Sequence, residues 1–241
     1  MTTTDHTNNR LDEKLSYLKL SYMLENYESL AKKAAQKHWT HVNYLTELAT
    51  AEANLRADRA TKRRIRAARF AQIKTLEQFK WSWPKKINQL QVKNLFRLSF
   101  VEQKSNVIFL GGVGLGKTHL ATALGYHACL KGHTVLFCSA VDAINSLAAA
   151  QSAGRLKQEL RKYHKPALVI LDELGYLPID KTGADLLFQI IQAGEMVKEV
   201  FDPFIDPFLC QVKGLLLAGD PLSDQLGAFF SGFVTLFDDP L

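Results

Sequence analysis

Apolar positions along the first 84 residues follow a helical period. One helix is predicted by four apolar residues spaced at steps of four, three and four: Leu11, Leu15, Leu18 and Tyr22. A second helical run begins near Tyr44 and continues to about residue 73 without Gly or Pro. The segment WSWPKK ends it, because Pro84 restricts the residue before it to extended geometry. Residues 1–84 are therefore predicted to form an all-helical N-terminal domain.

Beyond residue 105 the pattern changes to short apolar runs that alternate with helical stretches. The runs NVIFL (106–110), HTVLFCS (133–139) and ALVILDE (167–173) are typical of strands, and each is followed by a helical pattern. Strands that are apolar on both faces indicate a parallel sheet covered by helices on both sides. Residues 85–191 are therefore predicted to form an α/β core, entered through the connector 85–105.

Composition narrows the class of protein. An apolar fraction of 47% with 22% charged residues is ordinary for a soluble globular chain. No run approaches the length of a membrane span, and the N-terminus has no apolar signal core. Three cysteines have no metal-ligand spacing. We expect a cytoplasmic protein without a membrane partner.

Charge is distributed unevenly. Residues 1–105 hold 20 Lys and Arg against 10 Asp and Glu, whereas residues 192–241 hold 2 against 8. The basic excess is densest between residues 56 and 69 on the second predicted helix, and could contact successive DNA phosphates without reading sequence. A solvated charged helix is the alternative. The candidate DNA-binding residues are Arg56, Arg59, Lys62, Arg63, Arg64, Arg66 and Arg69.

A phosphate-binding loop is predicted at GGVGLGKT, between a strand and a helix. In such a loop glycines let backbone N–H groups surround a phosphate at the start of the helix. Lys117 can reach the β- and γ-phosphates, and the Thr118 hydroxyl can bind Mg²⁺. The alternative is a Gly-rich turn with an unrelated lysine. The candidate nucleotide-binding residues are Gly111, Gly112, Val113, Gly114, Leu115, Gly116, Lys117 and Thr118.

A second catalytic element is predicted at LVILDE, about 50 residues later. Asp172 at the end of an apolar strand suits the Walker B role of holding Mg²⁺, and Glu173 suits polarising the attacking water. Catalysis is therefore assigned to Lys117, Asp172 and Glu173, and the metal to Thr118 and Asp172. The guanine-reading motif N-K-x-D does not occur, which favours ATP.

Together these motifs resemble the IstB-type transposition helper ATPases of bacterial insertion sequences, relatives of the DnaC helicase loaders within the AAA+ class. The resemblance covers about residues 10–191 and includes LGGVGLGKTHLA and LDELGYLP. It implies an AAA+ P-loop core behind a helical domain that binds double-stranded DNA. It also implies ATP-dependent homo-oligomerisation and cooperation with the transposase of the same element.

The resemblance ends near Gln192. The family continues with a strand ending in a polar sensor and with an arginine finger, but Arg161 is the last arginine of this chain and Asn145 the last asparagine. Residues 192–241 are therefore interpreted as an atypical tail that replaces the C-terminal part of the module. We hypothesise a frameshift or insertion near codon 192, which sequencing several independent copies of the intact element would refute if the frame ran cleanly through.

Three functions remain open after the sequence alone. The first is an insertion-sequence helper with impaired hydrolysis, the second is a DnaC-like helicase loader, and the third is a DNA-binding remnant without enzymatic activity.

Overall fold

A computed structural model of the protein describes residues 3–82, 87–109, 112–174, 181–192 and 196–200. The chain forms two compact units, residues 1–63 and 64–241. The sequence analysis placed the boundary at residue 84. The structure divides the chain earlier because Ala68, Phe79 and their neighbours belong to the hydrophobic core of the second unit.

The first unit is helical, as predicted. Its helices are α1 (Thr3–Tyr17), α2 (Ser21–Gln36) and the greater part of α3 (His41–Ala68). Glu52 on α3 is 3% exposed, and its carboxylate accepts hydrogen bonds from the backbone N–H groups of Tyr22 (2.7 Å) and Met23 (3.2 Å). These N–H groups belong to the first turn of α2, where the helix itself supplies no acceptor. Glu52 therefore caps α2 from a position 30 residues along the chain.

The second unit is the predicted α/β core. Its helices after residue 84 are α4 (Gln89–Leu95), α5 (Ser99–Glu102), α6 (Lys117–Leu130), α7 (Ala140–Ser152), α8 (Leu156–His164) and α9 (Lys181–Gln192). Its strands are β1 (Val107–Phe109), β2 (Val135–Ser139), β3 (Leu168–Leu174) and β4 (Met196–Val200). A 3-10 turn, Leu76–Gln78, precedes α4.

The four strands pair in parallel in the order β1-β4-β3-β2. Strand β4 thus lies between the strand that enters the phosphate-binding loop and the strand that carries Asp172. The sequence interpretation ended the core at residue 191 and assigned no strand to MVKEV. This expectation is corrected by the pairing of residues 196–200 on both sides. The remaining tail, residues 201–241, lies outside the described residues.

Helices cover both faces of the sheet, which confirms the prediction from the doubly apolar strands. In β3, Leu168 and Ile170 belong to one core with α6, whereas Val169 and Leu171 belong to another with α7 and α9. This alternation follows from the two-residue period of strand side chains. A helix long and apolar enough to cross a membrane is absent from the described part of the chain.

Candidate nucleotide-binding site

The phosphate-binding loop lies between β1 and α6, where the sequence placed it. Gly114 (φ +79°) and Gly116 (φ +89°) adopt left-handed conformations that residues with a side chain rarely take. Gly116 is also the N-cap of α6, so the loop leads directly into the first turn of this helix. The loop therefore presents the helix N-terminus as an anion site. Gly111, the first glycine of the motif, lies outside the described residues.

One of the two candidate side chains at the end of the loop contacts the predicted Walker B carboxylate. Lys117 is fully buried, and its ammonium donates a hydrogen bond to the Gly112 carbonyl oxygen. The Thr118 hydroxyl donates to the Asp172 carboxylate across 3.3 Å, although the two residues are 54 positions apart. Asp172 itself is 7% exposed. A hydroxyl and a carboxylate oxygen side by side are the hard oxygen ligands that Mg²⁺ prefers.

Glu173 follows Asp172 at the carboxyl end of β3. Its backbone is left-handed (φ +60°), and its N–H donates to the Asp172 carboxylate at 2.9 Å. A positive φ at a non-glycine residue is a strained conformation of the kind that recurs at functional sites. The turn leaves Asp172 buried against Thr118 while the Glu173 side chain remains exposed. The two carboxylates therefore occupy different environments.

Residues 75–79, which precede the sheet, pack against the phosphate-binding loop. The sequence analysis did not predict this contact. The Thr75 carbonyl oxygen lies 2.9 Å from His119 Nε2, and the Phe79 ring packs edge-on against the His119 ring at 5.4 Å. A Cβ added at Gly116 would lie 2.7 Å from Phe79 Cε2. His119 is thus a packing residue between this segment and the loop. In the sequence, the aromatic run FKWSW could have indicated that this segment packs against the core.

Three of the seven predicted DNA-binding residues have partners among the residues that the structure describes. Arg56 pairs with Glu52 (3.1 Å) and donates to the carbonyl oxygens of Leu18 (3.2 Å) and Lys19 (3.1 Å). Arg59 donates to the Ser21 hydroxyl at 2.6 Å.

Arg64 is the third of these residues and lies in the second unit. Its Nε donates to the Cys129 carbonyl oxygen at 3.0 Å, in the last turn of α6. The same carbonyl also accepts the Gly132 N–H at 3.2 Å, so Arg64 adds a second donor at the end of α6. Lys62, Arg63, Arg66 and Arg69 are exposed.

A parallel sheet with a phosphate-binding loop after β1 and an acidic pair near the carboxyl end of β3 is typical of a P-loop nucleotide-binding protein. Residues 13–198 match the family described as IstB-like ATP binding protein. This match covers more than half of the chain. The chain belongs to the IstB-like ATP-binding protein family.

Two relatives illustrate the match. A protein described as an ATP-binding protein of insertion sequence IS5376 from Geobacillus stearothermophilus is 33% identical over 182 residues, 76% of this chain and 72% of that protein. The corresponding protein of insertion sequence IS21 from Pseudomonas aeruginosa is 39% identical over 181 residues, 75% of this chain and 68% of that protein.

Two solved structures share the fold. The DnaC helicase loader matches with a TM-score of 0.53 and 20% identity, over 67% of this chain and 94% of that chain. The replication initiator DnaA, bound to AMPPCP and single-stranded DNA, matches with a TM-score of 0.51 and 23% identity. That match covers 68% of this chain and half of the DnaA chain.

Proposed function

We propose that this chain is an ATP- and DNA-binding helper protein of insertion-sequence transposition. The observation that carries the proposal is the meeting of Thr118 and Asp172 beside the buried Lys117, in a chain of the IstB-like family. Relatives described as insertion-sequence proteins support the biological setting. The transposase of the same element is the proposed partner.

The residues of the site have distinct proposed roles. Lys117 would contact the β- and γ-phosphates, to which its ammonium can turn from the Gly112 carbonyl. The Thr118 hydroxyl and the Asp172 carboxylate would hold Mg²⁺, which neutralises the charge on the phosphates when it is bound. Glu173, exposed at the end of β3, would orient and polarise a water molecule.

Hydrolysis by this chain is proposed to be slow. The 241 residues contain no arginine after Arg161, so none follows the Walker B strand in a position to serve as a finger. Arginine fingers contribute about 10³ to 10⁵ in rate. Binding of Mg·ATP needs only the loop and the acidic strand, and is therefore proposed to persist without fast turnover.

We propose that the exposed basic residues of α3 bind double-stranded DNA. Lys62, Arg63 and Arg66 on α3 are exposed, and contacts of such residues to phosphates give sequence-independent, salt-sensitive binding. Arg56 and Arg59, which have partners within the first unit, are proposed to contribute less. ATP-dependent self-association on DNA is the proposed working state.

The test combines ATP turnover, with and without DNA, with a salt titration of DNA binding. Lys117→Ala should abolish Mg·ATP binding, whereas Lys131→Ala, an exposed lysine just after α6, should leave it unchanged. Wild-type turnover near rates typical of enzymes with an arginine finger would refute slow hydrolysis. DNA binding and assembly that are identical with and without ATP would instead favour a DNA-binding protein without ATPase activity.

A further inference from the structure

A cavity of about 450 Å³ lies at the carboxyl ends of β2 and β3. Ligand sites in parallel α/β sheets form outside these strand ends. The cavity shares Asp172 and Glu173 with the nucleotide site, but the described residues of the phosphate-binding loop, 112–118, do not line it. The polar and charged lining residues are Arg69, Ser139, Asp142, Ser146, Lys162, Tyr163, Asp172 and Glu173.

Two cations from different elements converge on this cavity. Arg69 follows the last residue of α3, and Lys162 lies on α8. Both line the cavity, as does Cys138. The pKa of the Cys138 thiol is raised to about 12, chiefly by burial and then by Asp142, while Lys162 and Arg69 oppose the rise. The two cations therefore contribute positive charge to the wall of the same cavity.

Arg69 is the cation available to a ligand. It is exposed and makes no hydrogen bond or ion pair with any residue that the structure describes, whereas Lys162 pairs with Glu159. The N-terminus of α7 also faces the cavity through its N-cap Ser139, which accepts the Asp142 N–H at 3.0 Å. The hydroxyl-bearing Ser146 adds a further hydrogen-bonding group to the wall.

We propose that this cavity binds a phosphate group that carries one negative charge, held by Arg69 and Lys162. A guanidinium is suited to a phosphate because its planar N–H groups form paired hydrogen bonds with two oxygens. Three carboxylates, Asp142, Asp172 and Glu173, also line the cavity, and their charges disfavour a dense polyanion such as a triphosphate. A phosphodiester of a nucleic acid and free phosphate share the required chemistry.

Glu173 belongs to both the cavity and the nucleotide site, so a bound phosphate would lie near the carboxylate assigned to polarise water. That link rests on the proposed function, whereas the binding site itself does not. Binding is therefore measured without hydrolysis. A failure of this site would leave Mg·ATP binding and its dependence on Lys117 unaffected.

The experiment uses the full chain with its nucleotide site saturated by Mg·AMPPCP. One arm measures the melting temperature in sodium phosphate against sodium chloride of equal ionic strength. The other measures the affinity of a labelled oligonucleotide, single-stranded or duplex, by fluorescence anisotropy. The variants are Arg69→Gln, Lys162→Gln and Arg69→Lys, with Lys157→Gln as the control, because Lys157 is exposed on α8 and does not line the cavity.

We expect Arg69→Gln and Lys162→Gln each to weaken phosphate or oligonucleotide binding at least tenfold, with Arg69→Lys intermediate and Lys157→Gln unchanged. An effect confined to the oligonucleotide would identify a nucleic acid as the source, and an effect confined to phosphate would identify a free phosphate. Equal affinities of wild type and Arg69→Gln in both arms would overturn the proposal. An equal loss in Lys157→Gln would also overturn it, because the binding would then reflect diffuse surface charge.

Discussion

Replacing Gly116 with alanine tests whether Phe79 holds the phosphate-binding loop. Gly116 has φ +89°, and a non-glycine residue in this region costs about 1–2 kcal/mol. The added Cβ would also lie 2.7 Å from Phe79 Cε2 in the core, and overpacking of this kind costs about 1–3 kcal/mol. We therefore expect Gly116→Ala to lower the free energy of unfolding by about 2–5 kcal/mol and to weaken Mg·ATP binding.

Gly132→Ala is the matched control. Gly132 has φ +102°, but a Cβ there would have no atom within 4 Å, so only the backbone term applies. Its expected cost is about 1–2 kcal/mol. Urea unfolding followed by circular dichroism measures both variants, and the fluorescence of a labelled ATP analogue measures binding.

The double variant Gly116→Ala/Phe79→Leu separates the two causes. Leucine lacks the ring atoms that the new Cβ would meet, so part of the cost should be recovered, with a coupling energy above about 0.5 kcal/mol. If Gly116→Ala cost no more than Gly132→Ala, or if the two changes were additive, the contact between Phe79 and the loop would not have the role assigned to it.

Three further predictions concern other parts of the chain. Glu52→Ala should destabilise the first unit by about 2–5 kcal/mol in urea unfolding, because it leaves two N–H groups of α2 and the Nε of Arg56 without their acceptor. The exposed Glu47→Ala should change stability little, and equal effects of the two variants would contradict the capping role. Arg66→Gln should weaken DNA binding and reduce its salt dependence by about one ion without loss of stability, whereas Arg56→Gln should chiefly lower stability. A salt titration of DNA binding and urea unfolding measure the two effects, and the opposite result would mean that Arg56 contacts DNA and Arg66 stabilises the fold. Cys138, with a pKa of about 12, should be alkylated far more slowly at pH 8 than an exposed thiol, as followed by mass spectrometry, and a rate equal to that of a model thiol would contradict its burial.

The fold could be predicted where it depends on patterns among residues close together in the sequence. Apolar runs at 106–110, 133–139 and 167–173 predicted three strands within one or two residues of their observed bounds, because a strand buried on both faces must be apolar at every position. The phosphate-binding loop could be predicted for a similar reason, because its glycines, Lys117 and Thr118 are contiguous in the chain. Asp172 could be assigned because it ends an apolar strand.

Strand β4 and the roles of the arginines depended on long-range contacts. MVKEV contains two charged residues and has no apolar run, so its sequence did not predict a strand. It lies in the sheet because its backbone pairs with β1 on one side and β3 on the other. The basic residues with intramolecular partners are Arg56, Arg59 and Arg64, and the exposed ones include Lys62, Arg63 and Arg66. Both groups are positively charged and similarly spaced, so no local sequence pattern distinguishes them.

The sequence by itself determined the class of fold and predicted the nucleotide-binding residues, because the fold class follows from the spacing of apolar residues and the loop motif is contiguous in the chain. Only the tertiary structure decided which guanidiniums have intramolecular partners, how Phe79 approaches Gly116, and that the sheet continues past Gln192. Each of these depends on a contact between residues far apart in the chain, whose distance no local pattern encodes.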